Sequence, residues 1–455
     1  MPFARDLYDI VVIGGGTAGV ATGLELRQRG YDVAIIEQFE NCGLGTNNQA
    51  LGILPRRLTY FAFDRPGSFA AAYDVSFLHH LFPKIVAKRP FAMPFFPQMK
   101  RHLKSHPVIL EGLMASYARA TADKAGLSGY RYLNQKQILE EIPVLKENVM
   151  GGILFEEYVT DPVELCRAIL AKEKKLTVHG TLSVFSGQQV KSFLIKHGKL
   201  RAAICINNQL EREVFYGKYF VNATGPWSAE MARMAGVDIK LNLSQGTTAV
   251  IDRKFTKYAI ITFDETGKYI TLLPLPDRHQ TLIGPTDIPI EKISDAAIHE
   301  YELENLAEVA SKTIRNSIEK FDFNRPLTRC GVRPLLSGAH KTRAYAIVRH
   351  TTRPNFFSLT GSIKIIDQIR AGKEMADILD EINGKPKCDW PNPELLELKY
   401  AEGELDAIRN SYQKKYARNS AELGLMIKLV SAYSTLTLAP DIIWSFIKNL
   451  GRKIV

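Results

Sequence analysis

The chain has few cysteines and lacks long apolar runs, and both shortages narrow the protein classes to which it can belong. Its five cysteines, at positions 42, 166, 205, 330 and 388, form no CxxC pair and no cluster with histidine. We therefore expect no bound metal, no disulfide framework and a reducing compartment. No stretch approaches the ~18 consecutive apolar residues of a membrane-spanning helix. The N-terminal residues show no secretory leader pattern, so we expect a cytoplasmic protein.

Acidic residues are also in deficit. The chain has 59 lysines and arginines against 48 aspartates and glutamates, which gives a formal net charge of +11. Such a balance can serve nucleic acid, an anionic membrane or an anionic substrate. Because no RRM, KH or zinc-finger signature accompanies it, we expect no nucleic-acid partner. An anionic small-molecule substrate and a membrane surface remain as candidates.

A glycine-rich turn follows the first strand-like run. The segment Tyr8–Gln38 has the pattern of a buried strand, a turn, a helix and a second strand that ends at an acid. In the turn, Gly14, Gly16 and Gly19 form the G-x-G-x-x-G pattern, which lets a pyrophosphate approach the free N–H groups of a helix N-terminus. Glu37 is placed to accept hydrogen bonds from ribose hydroxyls and would repel the 2′-phosphate of NADP. The unit predicts a dinucleotide site, and by itself it does not separate NAD from FAD.

The rest of the chain alternates between predicted helices and strands. After the glycine unit comes a neutral ribbon, residues 41–55, which has no charged side chain in a chain that is 24% charged. Further along we predict a helix in 162–180, then a meander of strands, a strand–turn–helix at 219–236, a strand-rich stretch at 237–290, a helix in 292–318 and a helix in 363–382.

The order of these segments resembles that of the FAD-dependent glycerol-3-phosphate dehydrogenases, within the D-amino-acid-oxidase-like flavoprotein superfamily. The resemblance covers roughly residues 8–382 and rests on the blocks IGGGTAGV…IIEQ, GTNNQALGILPRRLTYF, VTDPVELCRAIL, VNATGPWS, TLIGPTD, GVRPLL and SLTG. It implies an α/β fold, α+β overall, with a Rossmann-like FAD-binding domain, a discontinuous antiparallel-sheet substrate domain and a small helical C-terminal region.

The implied domains alternate along the chain. The FAD-binding domain takes residues 1–80, 156–236 and 329–385, the substrate domain takes 81–155 and 237–328, and the helical extension takes 386–455.

The resemblance also implies contacts with FAD. The glycine turn would hold the pyrophosphate and Glu37 the adenosine ribose, while Val190 would offer its backbone to adenine. The implied cofactor-binding residues are Gly14, Gly16, Thr17, Ala18, Gly19, Glu37, Gln38, Gly45, Thr46, Asn47, Asn48, Val190, Ala223, Thr224, Gly225, Trp227, Gly361 and Ser362. The neutral ribbon is suited to lie against the flavin, because its amide groups can hydrogen-bond to the flavin with no charged side chain nearby to compete.

On the substrate side the chain departs from the family. Pro55 stands where the family has a histidine beside the flavin, and Thr59 stands where it has a substrate-side arginine. Proline cannot move a proton, so position 55 cannot supply a general base. Arg56 or Arg57 could replace the lost positive charge from a different geometry, or could be ordinary solvated arginines.

Two basic residues are the expected catalytic groups. Arg333, in GVRPLL, is kept from the family pattern and would act as an anion or oxyanion clamp. Lys364 is displaced by one place and would act electrostatically on the flavin N1 region or on the substrate. For the general base, His279 and His350 stand in plausible blocks, but a lone histidine is more often structural.

Two segments could contact a membrane. Residues 90–99, PFAMPFFPQM, are either a hydrophobic surface loop or a strand of the substrate domain. Residues 440–455 place Ile443, Ile447, Leu450 and Ile454 on one helical face beside basic residues. This segment predicts either peripheral attachment to a membrane interface or a helix packed on the protein.

Together, the motifs and the family resemblance predict an FAD-dependent dehydrogenase or oxidase. We expect hydride transfer from glycerol 3-phosphate or a related hydroxy compound to flavin N5, with electrons passed to quinone or another acceptor. One alternative is a superfamily member that acts on another alcohol or an amine. The other is a flavin-binding subunit with a disabled site, which the changes at Pro55 and Thr59 keep open.

Overall fold

The structure is a computed structural model, and it describes residues 7–55, 65–101, 106–125, 127, 129–173, 180–275, 278–337, 345–362 and 364–386. Some expectations fall outside this part of the chain. They concern Arg56, Arg57, Thr59, the segment 440–455 and nearly all of the extension 386–455.

The described residues contain eighteen strands and eight α-helices, numbered in chain order, together with short 3-10 turns and loops. The strands are β1 Tyr8–Ile13, β2 Asp32–Glu37, β3 Ile53–Leu54, β4 Ala87–Phe95, β5 Arg131–Asn134, β6 Gly151–Val159, β7 Thr181–Ser186, β8 Gln188–Lys196, β9 Lys199–Asn207, β10 Arg212–Asn222, β11 Leu241–Ile251, β12 Ala259–Phe263, β13 Tyr269–Pro274, β14 Thr281–Gly284, β15 Ile288–Ile290, β16 Arg329–Leu336, β17 Tyr345–Arg349 and β18 Phe356–Gly361. The helices are α1 Thr17–Gln28, α2 Arg65–Leu81, α3 Pro107–Ala125, α4 Gln135–Glu141, α5 Pro162–Glu173, α6 Ser228–Met234, α7 Glu300–Thr313 and α8 Gln368–Ile382.

The first sheet is a largely parallel one with the order β17-β18-β10-β1-β2-β7. Alternate residues of its central strand β1 enter two different cores. Ile10 and Val12 pack with Leu379 of α8, whereas Val11 and Ile13 pack with Met231 of α6. A strand that is buried on both faces is the reason for the continuous apolar run in the sequence.

The predicted meander is confirmed. β8 and β9 continue from β10 as an antiparallel unit. Its turns fall at the expected places, where His197 and Gly198 adopt positive φ values of 51° and 73° and Gly187 has a φ of 71°. Glycine adopts this left-handed region without steric cost, which is why these dipeptides end strands.

The second sheet is mostly antiparallel and runs β15-β11-β14-β13-β12-β4-β6-β3, with β16 beside β11 and β5 beside β6. Residues 90–95 of the segment 90–99 belong to strand β4, which pairs with β6 and β12. Phe96 and Met99 follow the strand and are buried in the same core. Phe91 and Phe155 meet in its core with ring centroids 5.7 Å apart. The two sheets confirm the predicted fold class, while the domain boundaries stay a prediction.

Two predicted helices are shorter than expected. The segment 292–318 forms α-helix only over Glu300–Thr313, after a separate 3-10 turn at Ile293–Asp295, because His299 and Ile314, on either side of the α-helix, are extended. The segment 363–382 enters α8 through a 3-10 turn at Ile365–Asp367.

Within the described residues, no helix is both long enough and apolar enough to cross a bilayer.

Helices α1 and α8 pack closely through a glycine. A Cβ added at Gly372 would lie 3.0 Å from the backbone of Ala21 and Thr22. Farther along, Arg29 at the end of α1 pairs with Asp377 and Asp380 of α8, each at 2.7 Å. The two helices therefore run side by side in the same direction, and both N-termini lie toward the same edge of the sheet.

We predict that Gly372→Ala destabilises the protein by about 1–3 kcal/mol, because the added methyl group overpacks against backbone that cannot move aside. Gly112→Ala in α3 is the matched control, since nothing lies within 4 Å of a Cβ built there. That change should be neutral or stabilising by up to about 1 kcal/mol, because alanine favours helix. Urea unfolding of both variants checks this, and equal effects would contradict the packing argument.

Candidate functional site

A cleft opens at the carboxyl ends of β1, β2 and β10, where open parallel sheets bind ligands. Seventeen of the twenty sequence-predicted site residues line it: Gly14, Gly16, Thr17, Ala18, Glu37, Gln38, Gly45, Thr46, Asn47, Val190, Ala223, Thr224, Gly225, Trp227, Arg333, Gly361 and Ser362. Gly19, Asn48 and Lys364 are not part of this lining.

The glycine turn brings helix α1 against strand β1. A Cβ added at Gly19 would lie 1.9 Å from the carbonyl oxygen of Gly14, so only glycine allows this approach. Gly14 has a φ of 103° and packs on the turn after β10, where its own added Cβ would meet Ala223 O at 2.6 Å. Gly19 is thus a packing residue, which explains its absence from the cleft surface.

The neutral ribbon is fixed to the start of α1 by Asn47. Its Oδ1 accepts from the backbone N–H of Thr17 at 3.1 Å, and its Nδ2 donates to Thr17 Oγ1 at 3.0 Å. The ribbon also contacts the second sheet, since Thr46 Oγ1 donates to Val332 O at 3.1 Å. The ribbon therefore connects the two sheets along one wall of the cleft.

Glu37 closes the end of β2 and is 6% exposed. Its Oε2 accepts from the N–H of Gly15 at 2.6 Å and its Oε1 accepts from the N–H of Phe39 at 2.9 Å. Burial raises the pKa of this carboxyl, and the backbone donors at Phe39, Gly15 and Gln38 oppose that rise. The side chain holds the glycine turn in place while part of it faces the cleft.

A buried polar network shapes the turn after β10. Asn222 accepts from Thr224 Oγ1 at 2.7 Å and donates to Ser228 O at 2.9 Å. Gly225 then turns with a φ of 58°, and nothing lies within 4 Å of a Cβ built on it. The chain at this turn leaves open space above the cleft.

Arg333 lies at the cleft inside a cage of acceptors. Nη1 donates to Gln245 O at 3.1 Å and to Asp287 Oδ1 at 3.3 Å, and Nη2 donates to Thr286 O at 3.0 Å. Its side chain is 17% exposed. The guanidinium is therefore held in one place while still contributing to the cleft surface.

Glu302, on α7, supports that cage from behind and is 1% exposed. Its Oε1 accepts from Thr286 Oγ1 at 2.5 Å and its Oε2 accepts from Gln245 Nε2 at 2.8 Å. Gln245 is also tied to Ala297 through both atoms of its amide. Gln245 and Thr286, whose backbone carbonyls accept from Arg333, thus both donate side-chain hydrogen bonds to the buried carboxylate of Glu302.

The other basic residues near the end of β18 have different surroundings. Lys364 is half-buried at the start of a 3-10 turn and outside the cleft lining. Arg370 contacts Asp367 at 2.7 Å and Asp74 at 3.1 Å, which joins α8 to α2. Neither His279 nor His350 lines the cleft. His350 instead lies 3.0 Å from Ser358 Oγ, and burial lowers its pKa.

Sequence reasoning missed ten residues of the cleft wall. They are Ile13, Ile36, Phe39, Gln188, Gln189, Pro226, Glu230, Met231, Met234 and Pro334. Most flank a predicted site residue along the chain, so extending each motif by one or two positions would have found them. Glu230, Met231 and Met234 belong to α6, which starts directly after the VNATGPW turn.

The sequence matches one known family over most of its length. Residues 9–364 match the family of FAD dependent oxidoreductases. The chain belongs to this family. The predicted relationship is thereby confirmed, and so is FAD as the cofactor on which the family depends.

The curated relatives of this FAD-dependent oxidoreductase are distant. An aerobic glycerol-3-phosphate dehydrogenase of Staphylococcus aureus (strain USA300) is 24% identical over 342 residues, which cover 73% of this chain and 59% of the relative. The chain thus spans 59% of the length of such relatives. The homologue of strain NCTC 8325 gives the same values.

Solved structures share the fold at lower identity. The glycerol-3-phosphate dehydrogenase from Bacillus halodurans complexed with FAD has a TM-score of 0.67 at 19% identity, covering 94% of this chain and 76% of the other. The L-alpha-glycerophosphate oxidase from Mycoplasma pneumoniae has 0.65 at 17%, covering 85% and 100%. Glycine oxidase from Geobacillus kaustophilus has 0.62 at 17%, covering 87% and 100%. These likenesses fit a divergent member.

We predict that Glu302→Gln lowers the free energy of unfolding by about 1–3 kcal/mol, because the new amide N–H₂ faces donors and leaves a buried donor unpaired. Gln245 cannot flip to accept it without losing both bonds to Ala297. Glu300→Gln is the control on the same helix, since Glu300 is an exposed partner of Arg325. Its unfolding midpoint in urea should hardly change, and similar losses in both variants would contradict the buried role of Glu302.

Proposed function

We propose that this chain is a dehydrogenase or oxidase that binds FAD in the cleft and oxidises glycerol 3-phosphate or a related hydroxy compound. The observation that carries the proposal is the composition of the cleft: a glycine turn at a helix N-terminus, a neutral ribbon and one caged arginine share a single surface. Electrons would then pass to quinone or another acceptor.

The fit to FAD is supported by the free space and by the polar groups of the cleft. The N-terminus of α1 and the open turn at Gly225 leave room for a pyrophosphate, which helix N–H groups attract. Glu37 stands where ribose hydroxyls would donate to it. Gly14, Gly16, Thr17, Ala18, Gln38, Gly45, Thr46, Asn47, Asn48, Val190, Ala223, Thr224, Trp227, Gly361 and Ser362 would complete the cofactor contacts, with Gly19 supporting the turn.

The chemistry divides between cofactor and chain. Bound FAD supplies a hydride acceptor. The chain would position an anionic substrate through Arg333, whose charge is held at the cleft by its cage, and Lys364 would add positive charge from farther away. The hydroxyl proton would need an acceptor, and Pro55 cannot serve as one. On this proposal, the main contribution of the protein is to bind and orient the substrate.

An amine substrate is the second candidate. Glycine oxidase from Geobacillus kaustophilus and L-proline dehydrogenase from P. horikoshii have TM-scores of 0.62 and 0.61 with this chain. An arginine at the cleft would suit a carboxylate as well as a phosphate.

The third candidate is a flavin-binding subunit with a disabled site. Peripheral membrane contact through residues 440–455 also stays a prediction.

We predict that the purified chain carries FAD, and that anaerobic glycerol 3-phosphate bleaches its flavin absorbance. Bleaching only by glycine, proline or another amine would favour the second candidate. A bound flavin that no substrate of the panel reduces would favour the third. A colourless protein that takes up no FAD on reconstitution would contradict all three.

We predict that Glu37→Gln weakens FAD binding about tenfold or more, because a ribose-facing charged acceptor and the support of the glycine turn are both reduced. Glu40→Gln is the matched control, since Glu40 is exposed three residues later. Titration of the apoprotein with FAD, followed by quenching of flavin fluorescence, measures both affinities. Unchanged affinity in Glu37→Gln would remove Glu37 from the cofactor site.

A further inference from the structure

The guanidinium of Arg333 is paired with a carboxylate as well as with backbone carbonyls. Asp287 Oδ1 lies 3.3 Å from Nη1, and the Arg333 and Asp287 side chains are 17% and 35% exposed. A pair that is partly withdrawn from water interacts more strongly than one on the open surface. The positive charge that Arg333 brings to the cleft is therefore offset by a negative charge in direct contact with it.

Asp287 is fixed in this position by β11. It stands directly before β15, which pairs with β11. Ser244 of β11 is 3% exposed, and its Oγ donates to the same Asp287 oxygen that accepts from Arg333. Ser244 also lies opposite Arg333 where β11 pairs with β16. The three side chains form one connected group, so the carboxylate is held at the guanidinium and does not turn to solvent.

These contacts limit how an anion can approach Arg333. Each terminal nitrogen of a guanidinium carries two N–H groups, and Nη1 donates to Gln245 O and to Asp287 Oδ1. An anion that binds across both terminal nitrogens competes with Asp287 for Nη1. The anion is also repelled by the carboxylate, and this repulsion doubles when the anion carries two charges.

One further cation lies close to Asp287. Lys268 Nζ donates to the backbone carbonyl of Asp287 at 3.1 Å. The lysine is exposed, so solvent and salt screen its charge. Among the described residues, Arg333 is the one lysine or arginine that lines the cleft. Within this part of the chain, the pair of Arg333 and Asp287 therefore sets the charge that an anionic ligand meets.

We propose that Asp287 is a positioning residue that sets the charge specificity of Arg333, so that the cleft accepts singly charged anions on equal terms with doubly charged ones. The inference rests on the proposed function, in which Arg333 contacts the substrate anion, and deepens it by naming the substrate's charge. A lone arginine favours a dianion. Beside Asp287, the second charge of the ligand is attracted and repelled to a similar extent. The substrate class then includes hydroxy carboxylates and phosphate diesters as well as glycerol 3-phosphate.

Asp252 provides a matched control. Its carboxylate also accepts two side-chain hydrogen bonds, at 2.6 and 2.7 Å. It directly follows β11, eight residues after Ser244, which corresponds to about 27 Å along an extended strand. Asp287→Asn and Asp252→Asn remove the same charge and keep an oxygen that can accept hydrogen bonds, but only the first change lies beside Arg333.

The test uses two ligands that have no hydroxyl to oxidise, propyl phosphate and methyl propyl phosphate. At pH 8 the first carries close to two negative charges, because the second pKa of a phosphate monoester is about 6, and the second ligand carries one. Calorimetry with the FAD-loaded protein gives both dissociation constants for the wild type, Asp287→Asn and Asp252→Asn.

We expect the wild type to bind the two ligands within about threefold of each other. Asp287→Asn should tighten methyl propyl phosphate about tenfold and propyl phosphate about a hundredfold, because each unit of ligand charge escapes the same repulsion. Asp252→Asn should behave as the wild type does. A purely structural role for Asp287 would instead weaken both ligands on substitution.

Several results would overturn the inference. They are equal gains for the two ligands, no gain in Asp287→Asn, the same gain in Asp252→Asn, and no binding of either ligand by wild type and variants. If Asp287→Asn does not fold, the wild type alone decides, because a preference for propyl phosphate of more than about tenfold would mean that Asp287 does not offset Arg333.

These outcomes are distinguishable from those of the proposed function. A charge-dependent gain in Asp287→Asn supports the inference even if glycerol 3-phosphate fails to bleach the flavin. Bleaching by glycerol 3-phosphate together with unchanged affinities in Asp287→Asn keeps the proposed function and rejects the inference.

Discussion

The close approach of helix α1 to strand β1 is the constraint on which the rest of the molecule depends. It requires that no side chain stand between Gly19 and the carbonyl of Gly14, and none between Gly14 and Ala223. With these contacts in place, the start of the helix, the end of β2 and the turn after β10 meet at one edge of the sheet. A larger residue at either glycine would displace the N-terminus of α1 from its place in the cleft wall.

The second sheet reaches that edge through the neutral ribbon. Thr46 bonds to Val332, Arg329 Nη1 donates to Asn48 O at 3.0 Å, and Gly331 allows Gln49 to lie directly on β16. The ribbon carries no charge of its own, and among the described residues the charged side chains that line the cleft are Glu37, Glu230 and Arg333.

Local sequence patterns predicted the structure correctly where the interacting residues are close together along the chain. The glycine turn, the strand that ends at Glu37 and the turns of the meander all depend on neighbours within a few residues, and the structure has them where they were predicted. The helix at 292–318 was predicted too long, because its periodicity continues beyond the extended residues His299 and Ile314. Lys364 shows the same limit, since its place in a motif did not determine where its side chain lies relative to the cleft.

The sequence by itself determined the family, the dinucleotide-binding unit and most of the cleft residues, because each depends on glycines, acids and apolar runs at fixed spacing. Only the tertiary structure decided what surrounds Arg333. The cage of Arg333 draws on β11, on the loop after β14 and, through Glu302, on helix α7. Such contacts join residues 39 to 88 positions apart, so no local pattern records them.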